Sequence, residues 1–230
     1  MKISVITVVK NDIVFIEETL KSCIAQTGVE IEYIVVDGLS DDGTNEIINK
    51  YLNFISLYIR ESDDGIYDAM NKGTKFATGD WIIFMNSGDI FCNNNSLATL
   101  DLESKKSFSV IACSWIEKGA ENRIFYARNS IRYSLPTSHQ ALLIKTELVK
   151  KYGFDLKYRI GADYDLVSQI LKGREFELFI SYHILAIVRP DGFGRNKEIY
   201  RRDYYNIILK RFGIFPYLKY RLNEIIVKIV

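Results

Sequence analysis

Only three cysteines occur in the 230 residues, an odd number set far apart at Cys23, Cys92 and Cys113. None has zinc-ligand spacing, so neither a zinc module nor a disulfide framework is expected. Long apolar runs are missing as well. No stretch approaches the roughly 20 residues that cross a bilayer. The opening apolar run at residues 3–9 is too short for the core of a secretory leader and reads as a first strand, so a cytoplasmic location is expected. No G-x-G-x-x-G follows that run, which excludes the dinucleotide phosphate fingerprint. A net charge of +1 gives no general attraction to nucleic acid, and base-stacking or groove-reading elements are absent. Internal repeats and low-complexity linkers are lacking too. What remains is 48% hydrophobic and 26% charged, the composition of an ordinary globular chain able to bury one large core.

Strand and helix patterns alternate through the first half. Residues 3–9, 31–36, 57–60 and 81–85 read as strands, the last apolar throughout as for a strand covered on both faces. Between them fall a helix capped by Asn11 or Asp12 with Ile16, Leu20, Cys23 and Ile24 inward, a second at 44–51, and a third at 66–76. This βαβαβαβ order implies a mostly parallel sheet with right-handed crossovers. Beyond Asn86 the pattern loosens. Strands are expected at 110–113, 124–127 and 176–188, with a helix capped by Thr146 and another at 162–171. Two basic helices separated by Gly213 and Pro216 finish the chain. The division expected is one domain at 1–194 and a helical extension at 195–230.

Acids and small polar residues cluster at the predicted strand ends. Lys10, Asn11 and Asp12 follow the first strand, Asp37 the second, Asp63 and Asp64 the third, and Asn86-Ser87-Gly88-Asp89 the fourth. Parallel strands deliver all of these to one sheet edge, where α/β folds bind ligands. Asp37 is expected there with its carboxylate facing a crevice, and Asp89 is a candidate oxygen ligand for Mg²⁺ or Mn²⁺. Each turn, taken alone, also reads as an ordinary solvated loop.

The order of the segments is more specific than any one of them. Ser4-Val5-Ile6-Thr7-Val8-Val9-Lys10-Asn11, Val36-Asp37-Gly38 with Asp42-Gly43-Thr44, Asp68-Ala69-Met70-Asn71-Lys72-Gly73, Gly79-Asp80 and Phe84-Met85-Asn86-Ser87-Gly88-Asp89 together resemble glycosyltransferase family 2 with its GT-A fold. The likeness is strong over about the first 90 residues and weaker to Gly194. It implies an α/β, Rossmann-like, mostly parallel central sheet flanked by helices, with the C-terminal helices as an extension. It further implies that Thr7, Asn11 and Asp37 hold the nucleotide. Asp64, Asp68, Asn71, Lys72 and Gly73 would line the diphosphate and donor sugar, beside Asn86 and Ser87. Where the family usually has Asp-x-Asp, this chain has Asn86-Ser87-Gly88-Asp89, which leaves Asp89 as the metal ligand. A subgroup with this same turn is a better match than the family average.

Gly161-Ala162-Asp163-Tyr164 resembles the family's Glu-Asp segment, with Asp163 at the catalytic position. From its place at a helix start alone, Asp163 reads as a cap. His139 and Gln140 resemble a pair at the active-site mouth and are assigned to substrate binding. Arg189 and Gly192-Phe193-Gly194 resemble a loop over the diphosphate. The reading is an inverting transferase, metal-dependent through Mn²⁺ or Mg²⁺. It would move a hexosyl or N-acetylhexosaminyl group from a nucleotide diphosphate donor, expected to be a UDP-sugar, to a saccharide or lipid-linked saccharide in bacterial surface-polysaccharide synthesis. A nucleotide-sugar binding module without catalysis and a nucleotidyltransferase stay open as alternatives.

Charge is uneven along the chain. From Arg195 on, nine basic residues face three acidic ones, so the tail carries +6 and the preceding body −5. Tyr217-Leu218-Lys219-Tyr220-Arg221-Leu222 suits a helix lying on an anionic membrane surface at the inner face. It equally suits a helix packed on its own domain or on a second subunit.

Overall fold

The computed structural model describes residues 1–120, 123–190 and 196–229, with side chains through 222. The Gly192-Phe193-Gly194 segment and the 194/195 domain boundary lie outside the described residues. The first half follows the expected order: β1 (Lys2–Val9), α1 (Ile16–Ile24), β2 (Glu30–Asp37), α2 (Thr44–Asn49), β3 (Leu57–Arg60), α3 (Ile66–Phe76) and β4 (Trp81–Phe84). These four strands pair in parallel in the order β3-β2-β1-β4. Their carboxyl ends therefore share one edge.

The second half completes the sheet with β5 (Ile90–Phe91), β6 (Val110–Glu117), β7 (Ile124–Phe125), β8 (Leu142–Lys145) and β9 (Leu178–Val188). Among the described residues the path runs β3-β2-β1-β4-β8-β6-β9-β5, with β7 against β6. β8 is antiparallel to both β4 and β6, while β6 and β9 are parallel. This is a GT-A-like α/β fold.

Side-chain alternation along the strands splits the core into two layers. Ile6, Val8, Ile34 and Val36 face α3, α4 (Thr146–Tyr152) and α5 (Ala162–Leu171); Ile3, Val5, Tyr33 and Val35 face α1. Gly73 brings α3 onto the sheet: a Cβ there would stand 2.7 Å from Ile6 Cγ2.

Several helix ends differ from expectation. No side chain caps α1, which starts at Ile16 after a turn whose amides at Phe15 and Ile16 bond to the Asp12 carbonyl. Thr146 is the first residue of α4, preceded by Lys145 at the cap, and not itself the cap. The tail forms α6 (Lys197–Phe212) and α7 (Ile214–Ile229), broken by Gly213 at φ 85°. Pro216 does not separate them. It lies in the first turn of α7, where its missing N–H has no intrahelical partner to lose.

α6 is built into the domain. Tyr204, Ile207 and Ile208 join the core layer under α5. Asp203 accepts the amides of Arg159 and Ile160 at 2.9 and 3.0 Å. Arg211 grips the buried Asp165 carboxylate with two bonds of 2.8 Å. Asp165 is therefore a structural ion-pair partner and is not solvated.

At the opposite, amino edge of the sheet, Glu32 accepts from Ser4 Oγ, the Thr78 amide and the Lys2 ammonium. Burial raises its pKa, but these donors outweigh burial and hold it at about 2, against 4.5 for a free side chain. The native carboxylate therefore stabilises the fold above pH 4.5, and that contribution is lost as pH falls toward 2. Glu32→Gln is expected to lower neutral-pH stability by about 1–2 kcal/mol and to flatten the loss between pH 5 and 3, read by urea unfolding. An unchanged pH slope contradicts the assignment.

Candidate active site

The loops after β1 and β2 are locked together. The Asn11 amide donates to Ser40 Oγ at 2.8 Å, and Asn11 Oδ1 accepts the Asp41 amide at 2.9 Å. Asn11 (φ 51°) and Leu39 (φ 61°) both adopt the left-handed conformation here. That conformation is tolerable for Asn but strained for Leu, and such strain concentrates at functional sites. Asp37 does not face an open crevice: it is 0% exposed. Its carboxylate accepts from the Ser40 amide at 2.9 Å, Tyr58 Oη at 3.1 Å and Arg60 Nε at 3.1 Å. A buried carboxylate must be paired, and Arg60 stands beside Asp37 because the two are register partners in β2 and β3. Three donors on a group with about four acceptor directions leave roughly one for a ligand.

The Asn86–Asp89 turn leaves the end of β4 and is anchored from below. Thr19 on α1 donates its hydroxyl to the Asp89 carbonyl and accepts the Gly88 amide, both at 2.9 Å. Asp89 is buried, accepting from Gln140 Nε2 at 2.6 Å and from the Arg189 amide at 2.8 Å. Burial pushes its pKa up, against the pull of those two donors. The Arg189 guanidinium lies 4.0 Å over the Phe15 ring and bonds both oxygens of Asp12 at 3.1 and 3.0 Å. Asn86 Nδ2 contacts His139 Nε2 at 2.9 Å. The other ring nitrogen, Nδ1, lies 3.6 Å from Asp163 Oδ2. Asp163 is in the first turn of α5 and accepts the amide of Tyr164.

Asn86, Asp89, His139, Gln140, Asp163 and Arg189 are thus joined in one cluster, with Asp12 beside it. Among the described residues, Asn86 Oδ1, Ser87 Oγ and Arg189 Nε are buried and have no hydrogen-bond partner. Buried polar atoms are normally satisfied. Two orphans in the turn and a third on Arg189 beside it mark a surface shaped for a polar ligand.

Other expected contacts are spent within the protein. Thr7 is fully buried and bonds the Met85 carbonyl and Tyr33 Oη, because β1 runs on to Val9 and only residues beyond it reach the edge. Gly73 is a helix–sheet contact, as above. The Asn71 amide brackets Phe154, donating to its carbonyl and accepting its N–H, each at 2.9 Å. Asp68 accepts the Asp64 amide at 3.1 Å and pairs with Lys72 at 3.0 Å. Those bonds outweigh burial, which raises its pKa, and hold the carboxyl below its ordinary range. The Asp64 side chain is exposed at this rim.

Sequence reasoning brings Asp12 to this edge without a partner and gives Thr19, Tyr58 and Arg60 no role here. Arg60 had a readable signal, a cation ending the strand that neighbours Asp37. Asp12 and Thr19 meet their partners only through the β9 and β4 ends and had none.

No group of three His, Cys, Asp or Glu side chains among the described residues is arranged to hold a metal ion. The turn offers one carboxylate, Asp89, beside the orphaned Ser87 hydroxyl. That donor set fits an ion that arrives with a diphosphate and keeps its phosphate and water ligands, as Mg²⁺ does, and not an all-protein cage.

The family model for glycosyl transferase family 2 matches residues 4–163, ending on Asp163. The chain belongs to glycosyl transferase family 2. A PGL/p-HBAD biosynthesis glycosyltransferase of Mycobacterium bovis is 30% identical over 161 residues, covering 64% of this chain and 60% of the relative. An uncharacterized glycosyltransferase of Mycobacterium tuberculosis is 30% identical over 176 residues, covering 72% and 67%. The match thus spans three fifths of the first relative's length. Among solved structures, S. aureus TarS 1-349 in complex with UDP superposes with a TM-score of 0.70 at 20% identity, covering 92% of this chain and 65% of that one. The mannosyltransferase PcManGT of Pyrobaculum calidifontis, in complex with GDP-Man and Mn²⁺, gives a TM-score of 0.66 at 19% identity, covering 92% and 63%. At these identities the structures support the GT-A fold alone.

Gly88 sits at φ 91°, and a Cβ there would lie 2.6 Å from Arg189 Cδ. Gly88→Ala is expected to cost about 1–2 kcal/mol in stability from the left-handed backbone. It should also displace the Arg189 guanidinium from Phe15 and Asp12, with the stability read by thermal unfolding and the displacement by a crystal structure of the variant. Unchanged stability with Arg189 in place contradicts the close packing of Gly88 on Arg189.

Proposed function

We propose that the chain is an inverting glycosyltransferase moving a sugar from a nucleotide diphosphate donor, a UDP-sugar, to a hydroxyl of a saccharide or lipid-linked saccharide acceptor. The observation that carries this reading is the tie from the Asn86–Asp89 turn through His139 to Asp163, which sets a carboxylate beside a turn with unsatisfied polar atoms. Asp37 and Asp89 are buried and committed to donors, whereas Asp163 keeps partial exposure and an oxygen, Oδ2, with no amide bound. It is the group suited to accept a proton. As the acceptor oxygen bonds to the anomeric carbon, its proton passes to Asp163 Oδ2 and the bond to the diphosphate breaks on the opposite face, giving inversion. Asn11, with Asp37 and its partners Tyr58 and Arg60, would receive the nucleotide. Ser87, Asn86 Oδ1 and Arg189 Nε would receive diphosphate or sugar oxygens. A Mn²⁺ or Mg²⁺ ion, held by Asp89, would supply charge stabilisation for the leaving diphosphate. Neighbouring structures named as complexes with UDP-GlcNAc, and with UDP and Mn²⁺, support both choices.

Asp163→Asn should lower kcat by about 10²- to 10⁴-fold while leaving UDP affinity within about threefold, read by UDP release across a donor panel. Retained turnover removes Asp163 as the base. A wild-type protein that binds UDP-sugars but releases no UDP with any donor or acceptor is a binding module.

The proposed setting is surface-polysaccharide assembly at a membrane. A relative named for PGL/p-HBAD biosynthesis supports a biosynthetic role, and α7 supports the membrane contact. Ile214, Phe215, Leu218 and Leu222 are 49, 83, 49 and 59% exposed. At 100° per residue they share one face of the helix, with exposed Lys219 and Arg221 on its two flanks. Apolar residues flanked by cations suit an anionic lipid surface. Among the described residues no helix is long and apolar enough to cross a membrane, so the contact proposed is peripheral. Phe215→Glu with Leu218→Glu should reduce partition onto phosphatidylglycerol vesicles by about tenfold or more, with turnover on a water-soluble acceptor unchanged. Equal partition of both proteins refutes the membrane contact.

A further inference from the structure

The segment His139–Ala141 is a single 3-10 turn set just before β8. Its first two residues hold the two ends of the Asn86–Asp89 turn: His139 meets Asn86 and Gln140 meets Asp89. His139 is the member that also reaches Asp163, through its second ring nitrogen. The sequence places it at the substrate; the ring meets Asn86 at one nitrogen and faces Asp163 across 3.6 Å at the other.

Which nitrogen carries the proton follows from Asn86. The atom facing His139 Nε2 at 2.9 Å is Asn86 Nδ2, which can only donate. Nε2 therefore accepts, and in the neutral ring the proton resides on Nδ1. That N–H faces Asp163 Oδ2 at 3.6 Å, longer than a formed hydrogen bond and of the kind that tightens when substrate closes a site. The other Asp163 oxygen is already held by the Tyr164 amide at 2.7 Å. Two donors from different elements then fix both oxygens, and the rotation of the carboxylate about its Cβ–Cγ bond is set.

We propose that His139 is a positioning residue for Asp163, its tautomer fixed by Asn86, so that the turn's departure from an aspartate at residue 86 serves the geometry of the base. An aspartate there would accept and never donate, which would demand a proton on Nε2 and, in the neutral ring, leave a bare Nδ1 facing the Asp163 carboxylate. The remaining Asn86 atom, Oδ1, is one of the buried orphans. A donor-sugar hydroxyl bound to it would hold the amide in the orientation that aims Nδ1–H at Asp163, coupling donor occupancy to the poise of the base. This inference rests on Asp163 being that base.

Two isosteres separate the ring's nitrogens. The Asn amide nitrogen stands where Nδ1 stands, and the Gln amide nitrogen where Nε2 stands. His139→Ala is expected to lower kcat by about 10- to 100-fold, with the donor KM changed less than about threefold. His139→Asn should recover most of that loss and His139→Gln little of it. In an Asp163→Asn background, His139→Ala should cause no further drop in rate, because the group it positions is gone. Thermal unfolding and UDP affinity, unchanged across the set, exclude a folding effect. Equal rescue by Gln and Asn, a loss confined to KM, or additive losses in the double variant overturns the positioning role while leaving Asp163 as base. Full activity of Asp163→Asn alone overturns the base and, with it, this inference.

Discussion

The Asp89 carboxylate is the joint on which the site depends. One buried group ties the turn after β4 to Gln140 ahead of β8 and to Arg189 at the end of β9. These segments come from the parallel half and the antiparallel half of the sheet; β4 pairs with β8 and β5 with β9 nearby, and the carboxylate ties the turn itself to both. Isolated burial of a carboxylate is costly, and its rise in pKa shows the strain of that burial. Two donors at hydrogen-bond distance offset the cost. With Gln140 held, its neighbour His139 is held, and through it the orientation of Asp163. With the Arg189 amide held, its guanidinium lies on Phe15 and Asp12 of the first loop. A change at Asp89 would therefore loosen both sides of the site.

Three aspartates at one sheet edge divide the work by their surroundings. Asp37 is sealed against Arg60 and Tyr58 and shapes the loops of the nucleotide side. Asp89 is sealed against an amide and a glutamine. Asp163 alone of the three stays partly open, on the first turn of a helix. The same residue type thus serves as strut and joint, and in the proposed reaction as proton acceptor. The unsatisfied atoms of Asn86, Ser87 and Arg189 are where a diphosphate would add the missing partners.

Much of the first half was legible because its elements announce themselves through periodicity. Strands such as 81–84 are apolar on both faces and short, helices carry an apolar stripe, and acids follow each strand end. The ordered series of motifs carried the family. The second half was harder for a physical reason. β8 is a four-residue strand, Leu142-Leu143-Ile144-Lys145, whose three apolar residues read equally as strand or loop. Only its pairing between β4 and β6 decides. Site residues misread in the sequence share a different cause. Thr7, Asn71 and Gly73 sit inside motifs that match a functional pattern, but Thr7 and Asn71 spend their side chains on internal hydrogen bonds and Gly73 serves helix–sheet contact. Burial direction at the last residues of an element turns on where that element ends, and boundaries are what sequence reads least well. Asn86 shows the converse. It stands where the family usually has an acid, and in the proposed arrangement its contact to His139 gives it a use.

A crystal structure with a bound UDP-sugar and Mn²⁺ tests the shared edge most directly. The account predicts uracil beside Asn11 and Asp37, diphosphate against Ser87, Asp89 and Arg189, and Asp163 Oδ2 facing the anomeric carbon from the side opposite the diphosphate. A donor seated elsewhere, for example in the basic cleft lined by Lys157, Arg202 and Lys210 on α6, or an anomeric carbon turned away from Asp163, contradicts it.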